Sequence, residues 1–154
     1  MNEIVVRTLF NRHLHLRKGK LMERIAPSAF LQSSGGIIMP NTKPIINSIE
    51  LGREYRGEID ILSHKNNTVF APYMTLYLTD NTDLKDLVDG YRQGIWIGGK
   101  FYSIGTTTNS ENGVTRIENI YPVLEIMEEI GMPLLGHFEE NDPAISIFDR
   151  ERVF

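Results

Sequence analysis

Short apolar runs alternating with helical periodicities limit the folds open to this chain more than any other feature. Residues 11–16, 36–39, 69–78, 95–101 and 133–138 are brief, apolar and bounded by Gly, Pro or Asn. That is the signature of strands buried in a parallel sheet rather than half-exposed ones. Between them, 21–31, 49–62, 84–93 and 117–130 carry helical spacing. Asp83 or Thr82 is placed to cap the third helix, with Asp86 in its first turn. In the fourth, Ile120, Val123, Leu124, Met127 and Ile130 make one stripe, and Gly131 closes it. Pro122 requires the first turn of that helix to lie close by. The resulting order βαβαβαβαβ implies right-handed crossovers and a parallel sheet.

Two architectures satisfy this order, an open doubly wound sheet and a (β/α)8 barrel. No G-x-G-x-x-G follows any of the predicted strands, so the dinucleotide fold has no direct support. Polar residues instead fall at or just past strand C-termini: His13, His15 and Arg17, then Asn41, Lys100 and His137. A ring of chemistry at the strand ends is how a barrel builds its active site. A complete barrel takes about 250 residues, and this chain of 154 stops after five strands. The expectation is an α/β fold, a partial (β/α)8 barrel with about five βα units, in one domain over 1–154.

Composition narrows the partners. A net charge of −4, with acids and bases interspersed, lacks the basic footprint of a general nucleic-acid binder. The absence of cysteine rules out disulfides and thiolate metal sites, so a metal must use His, carboxylates or something less usual. It also fits a reducing compartment. The first seven residues lack the basic region and long apolar run of a signal peptide. No segment approaches the roughly 20 apolar residues that span a bilayer. A soluble, cytoplasmic protein without a membrane partner is expected.

His13-Leu14-His15-Leu16-Arg17 carries the clearest chemistry. In a strand, i and i+2 share a face, so two imidazoles can present nitrogens to one divalent metal. Arg17 continues that face and can grip a carboxylate. A lone strand histidine is more often a satisfied core residue; the pair is better evidence. Lys100 stands in an apolar stretch, Ile95-Trp96-Ile97-Gly98-Gly99 before it and Phe101-Tyr102 after it. Burial there would lower its pKa and expose a neutral amine able to react with carbon dioxide. From this segment alone, a lysine snorkelling at a strand end is the favoured reading. Asn41 reads as a substrate contact or a turn residue. The small, polar segment 105–113 reads as a lid or an ordinary connection. Glu139 and Glu140 read as a solvated acidic loop, and His64 as an exposed loop residue.

Taken together, the chain resembles the dihydroorotases, in the bacterial-type class of the amidohydrolase superfamily of metallo-dependent hydrolases. The resemblance rests on HLHLR at 13–17, MPN at 39–41, YLTD at 77–80, TTNSENGVT at 107–115, PVLEIMEEIGMPLL at 122–135 and FDRE at 148–151. It runs nearly collinearly from about residue 11 to the last. It implies two zinc ions per complete site. His13 and His15 would bind the more buried zinc, carboxylated Lys100 would bridge both, and His137 would bind the second near the substrate. His15, Arg17, Asn41 and His137 fall at substrate-binding positions, Arg17 and Asn41 toward its carboxylate. The implied reaction is the reversible, zinc-dependent hydrolysis of (S)-dihydroorotate to N-carbamoyl-L-aspartate in pyrimidine biosynthesis.

Some residues depart from the family pattern. Phe10-Asn11-Arg12 replaces an acidic, aromatic lead-in, Gly98-Gly99 precedes the lysine, and Phe138 stands where glycine is expected. The resemblance also implies a protein more than twice this length. A further histidine on strand six and the strand-eight aspartate, metal ligand and general base, would lie beyond these residues. No catalytic base is therefore expected in this chain, which alone is expected to be inactive. Two other functions fit the same residues: a non-catalytic assembly module, and another cyclic amidohydrolase of the hydantoinase or allantoinase type. A homodimer is a further expectation of the family.

Overall fold

The computed structural model describes residues 8–154. The first seven residues, which bear on the signal-peptide question, lie outside them. Five strands, β1 (Leu9–Leu14), β2 (Ser33–Ile38), β3 (Ala71–Tyr77), β4 (Gly98–Tyr102) and β5 (Leu134–His137), pair in sequence order. Every pairing is parallel. Helices α1 (Lys20–Gln32), α2 (Ile49–Lys65), α3 (Leu84–Arg92) and α4 (Tyr121–Ile130) return the chain between strands, and α5 (Arg150–Val153) follows β5. The sheet curls into part of a barrel.

Local chemistry explains the helix boundaries. Ser48 caps α2 by accepting from the Leu51 amide, and Asp83 caps α3 by accepting from the Asp86 amide at 3.0 Å. The helix expected over 117–130 is instead a 3-10 turn, Ile117–Ile120, followed by α4, with Pro122 in the first turn where its missing N–H costs nothing. Gly131 ends α4 in the left-handed region at φ 67°.

Strand β4 begins three residues later than the apolar run suggested, because Trp96 is diverted from the sheet. Its indole is 1% exposed and lies against Gly52 of α2 and Gly90 of α3, where a Cβ at either position would overlap the ring. The indole Nε1 donates to the Asp86 carbonyl at 3.1 Å. The continuous apolar core lies between the sheet and the helices and includes Leu16, Ile38, Ile59, Met74, Leu76, Phe101 and Met127. Tyr77, Lys100 and Tyr102 are also buried but stand outside that core. Alternation puts them on the other, concave face of the sheet.

Burial was expected for all five strands, and the outer two depart from it. β1 is largely exposed and β5 half-buried, so His13 is exposed while His15 and His137 are intermediate. Each outer strand has a sheet partner on one side only among the described residues. Burial on both faces and both flanks needs a closed sheet. β1 also ends at Leu14, leaving His15 just beyond the strand on which it was expected. Lys100 does not snorkel: it is 3% exposed.

Candidate metal centre

The residues singled out by the sequence gather at the C-terminal ends of the strands, apart from His64, which is exposed in the last turn of α2 rather than in the loop expected for it. His13 comes from β1 and His15 and Arg17 from the turn after it; Asn41 follows β2, Lys100 lies in β4 and His137 ends β5. The β1 turn is pinned to α2. The Tyr55 hydroxyl donates to the Leu16 carbonyl, and Lys18 pairs with Glu54 at 2.8 Å and Glu58 at 3.0 Å. Register shifts along β1 interrupt its simple alternation, so that Phe10 packs on Tyr73 while His13 meets His15 and His137.

The two nearest imidazoles converge, His13 Nε2 lying 3.0 Å from His15 Nε2. Two nitrogens bound tetrahedrally at zinc distances would lie about 3.3 Å apart, close to the spacing of this hydrogen-bonded pair. Burial, then the charges of Lys100 and His137, lowers the His13 pKa. Burial, then the charges of His13 and Arg17, brings His15 down to about 4. Both rings are thus neutral near pH 7, the state a metal requires. The His13 and His137 ring centroids are 5.7 Å apart, and His137 Nδ1 lies 3.3 Å from Glu139 Oε1. Among the described residues no three His, Cys, Asp or Glu side chains form a metal-holding group. Lys100 stands beside these rings in β4, with its side chain buried. Burial lowers its amine to about 8, with Glu139 opposing. At that value a usable fraction is neutral and nucleophilic at pH 7.

Phe138, where the family pattern expects glycine, packs among aromatic rings. It stacks on Phe101 at 5.5 Å and meets Phe154 at 5.8 Å, so its ring packs with the core residue Phe101. His137 instead pairs in register with Tyr102 and stacks on its ring at 5.6 Å.

The segment expected as a lid or a connection is clasped to Asn41. The Asn41 Nδ2 donates to the Thr108 carbonyl at 2.8 Å, and Asn109 Nδ2 donates back to the Asn41 carbonyl at 2.9 Å. Tyr77 donates its hydroxyl to the Asn109 carbonyl at 3.1 Å, and Asp80 accepts from both the amide and the hydroxyl of Thr115. The YLTD motif thereby anchors both ends of TTNSENGVT. Asn109 adopts φ 56°, which asparagine tolerates better than most residues. Asn109→Ala removes a part-buried hydrogen bond and worsens this backbone conformation, for an expected cost of about 2 kcal/mol. Loss of amide-exchange protection over 106–110 measures it; unchanged protection would mean that the clasp does not order the segment.

Sequence reasoning missed Tyr77, Tyr102 and Asn109. Tyr102 was legible in principle, since i and i+2 share a face and Lys100 had been marked. Nothing local distinguishes Asn109, whose partners lie 32 and 68 positions away.

Polar strand ends around two converging imidazoles and a buried lysine, on a parallel curled sheet, define the class: part of a barrel of the metallo-dependent hydrolase type. No family model matches the chain. A dihydroorotase from Novosphingobium aromaticivorans is 43% identical over 142 residues, 92% of this chain and 41% of that protein. One from Chelativorans sp. is 41% identical over all 154 residues, covering 44% of its length. The crystal structure of a Campylobacter jejuni dihydroorotase superposes with a TM-score of 0.82 at 35% identity, covering 94% of this chain and 41% of that one. A Saccharomyces cerevisiae dihydroorotase, solved with 5-fluoroorotic acid, gives a TM-score of 0.81 at 28% identity, again over 94% and 41%. The chain is a homologue of dihydroorotases and fits the N-terminal part of one. It spans about two fifths of the length of the curated relatives it matches.

Proposed function

We propose that these 154 residues supply the β1–β5 part of a dihydroorotase site, acting reversibly between (S)-dihydroorotate and N-carbamoyl-L-aspartate. The observation that carries this reading is the 3.0 Å approach of His13 Nε2 to His15 Nε2 beside a buried lysine, on a dihydroorotase-like fold. His13, His15 and His137 would hold two zinc ions together with Lys100 carboxylated by carbon dioxide. Bound zinc lowers the pKa of water and polarises a carbonyl. Arg17, with a buried and unpartnered Nε, would bind the substrate carboxylate through a charge-assisted contact. Asn41, whose Oδ1 is also buried and free, would orient the same group. His15 and His137 would bound the substrate on the metal side. Hydrolysis adds water across the ring amide: the carbonyl carbon gains oxygen, the C–N bond breaks and nitrogen takes a proton.

The proton-transferring aspartate and a further histidine would come from sequence outside these residues, so this chain alone would not turn over substrate. No helix among the described residues is long and apolar enough to cross a membrane. With that and the cysteine-free composition, we place the protein in the cytoplasm with a small-molecule partner, as monomer or homodimer, and assign it no nucleic acid.

Thermal unfolding of the purified chain with zinc and bicarbonate tests this. At zinc a hundredfold above its Kd, stabilisation of about 2.7 kcal/mol is expected. His13→Ala should abolish it and leave the metal-free protein nearly unchanged, because His13 is exposed. No zinc effect would refute the metal reading. Dihydroorotate turnover above the His13→Ala control would refute the incomplete site.

A further inference from the structure

Buried side-chain atoms without a hydrogen-bond partner are concentrated in one place. The five among the described residues are His15 Nδ1, Arg17 Nε, Asn41 Oδ1, Thr42 Oγ1 and the Tyr102 hydroxyl. All stand at the C-terminal ends of β1, β2 and β4; none lies in the helices or the apolar core. A buried polar group left unsatisfied costs about 1–3 kcal/mol. Such groups are scattered and rare in folded proteins. Gathered at the mouth of one sheet, they mark where a ligand supplies the missing partners. Thr42 and Tyr102 are the members that the metal and carboxylate roles above do not use, and Tyr102, on β4 two residues from Lys100, is the one whose aromatic neighbours fix its position.

Its surroundings specify what it can do. Tyr102 is fully buried, its ring 5.0 Å from Tyr77, 5.6 Å from His137 and 5.1 Å from Lys100 Nζ. These neighbours hold the ring on three sides. The adjacent Tyr77 is equally buried, yet its hydroxyl is satisfied by the Asn109 carbonyl. The clasped segment thus serves one tyrosine of the adjacent pair and leaves the other free. Arg17 is near enough for its charge to act on the Tyr102 phenol. The unpartnered phenol is a donor without an acceptor, and the Arg17 guanidinium at the same sheet end also lacks a partner for its Nε.

We propose that Tyr102 is a ligand-binding residue of this site, donating its hydroxyl to an oxygen of the small carboxylic acid that Arg17 holds. The assignment rests on the dihydroorotase reading and adds a donor to it. Held by stacking on His137 and by a tilted contact with Tyr77, the phenol is already oriented, so little side-chain entropy is lost on binding.

Wild type, Tyr102→Phe and Tyr77→Phe, each zinc-loaded, are compared by thermal unfolding and by titration with (S)-dihydroorotate. Tyr102→Phe is expected to bind about tenfold more weakly, the loss of one donor to a charged acceptor. Its melting temperature without ligand should equal or exceed that of wild type, because the deleted hydroxyl had no partner. Tyr77→Phe should melt lower, because its hydroxyl has one. Wild-type affinity in Tyr102→Phe would overturn the proposal. So would a lowered melting temperature of unliganded Tyr102→Phe, which would reveal a structural partner such as a fixed water. A wild type indifferent to dihydroorotate would overturn the underlying reading and this inference with it, and is recognised because no variant is needed to see it.

Discussion

Trp96→Ala is expected to lower the unfolding free energy by about 4 kcal/mol, the range for emptying a fully packed aromatic site. The indole, 1% exposed, fills the junction of α2, α3 and the entry to β4. Gly52 and Gly90 have no side chains to close over the space, so the cavity would persist. For a domain of this size the loss corresponds to roughly 12 °C in melting temperature. Urea denaturation gives the free energy directly. A loss below about 1 kcal/mol would mean that the helices collapse onto the gap and that Trp96 is not the wedge between them. The effect should reach the site, since β4 begins two residues later and carries both Lys100 and Tyr102. Gly90→Ala attacks the same contact from the other side, because its Cβ would occupy the indole's position.

Lys100→Met is expected to stabilise the metal-free protein at pH 7 while eliminating the ligand that bridges the proposed centre. Burial holds the Lys100 amine at about 8 in the folded state against 10.5 in the unfolded chain. Between those values the unfolded chain binds more protons, so wild-type stability rises with pH across this window. Below about pH 8 the full cost of burying the charge applies, on the order of 3 kcal/mol. Methionine fills a similar volume without charge and escapes that cost. The variant's advantage should be greatest at or below pH 7, shrink from pH 8 and vanish above about pH 10.5. Taking the difference between variant and wild type, in degassed metal-free buffer, cancels other titrations. A variant less stable at pH 7, or a gain independent of pH, would show that the amine is satisfied in the fold. A stabilising substitution at a functional position is what a site kept for chemistry rather than stability predicts.

Much of this was legible in the linear chain. The alternation of apolar runs and helical stripes determined a parallel α/β fold with five strands, and the caps at Asp83 and Gly131 lie where the residue types place them. H-x-H spacing pointed to two imidazoles meeting at one point, although the structure brings them together where β1 shifts register and ends, with His15 just past the strand. Strand order likewise put Lys100, Asn41 and His137 on the same end of the sheet as the histidines.

Tertiary structure decided what depends on distant partners. Lys100 read locally as a snorkelling lysine, and only the curl of β3, β4 and β5 around it buries the amine and lowers its pKa. Trp96 read as part of a strand until Gly52 and Gly90, 44 and 6 positions away, were found to leave a slot for it. The exposure of β1 and β5 follows from which strands have neighbours, a property of the whole sheet. The unsatisfied cluster that singles out Tyr102 exists only in three dimensions. A polar atom's partners are set by what folds against it, whereas its face on a strand is set by the backbone alone.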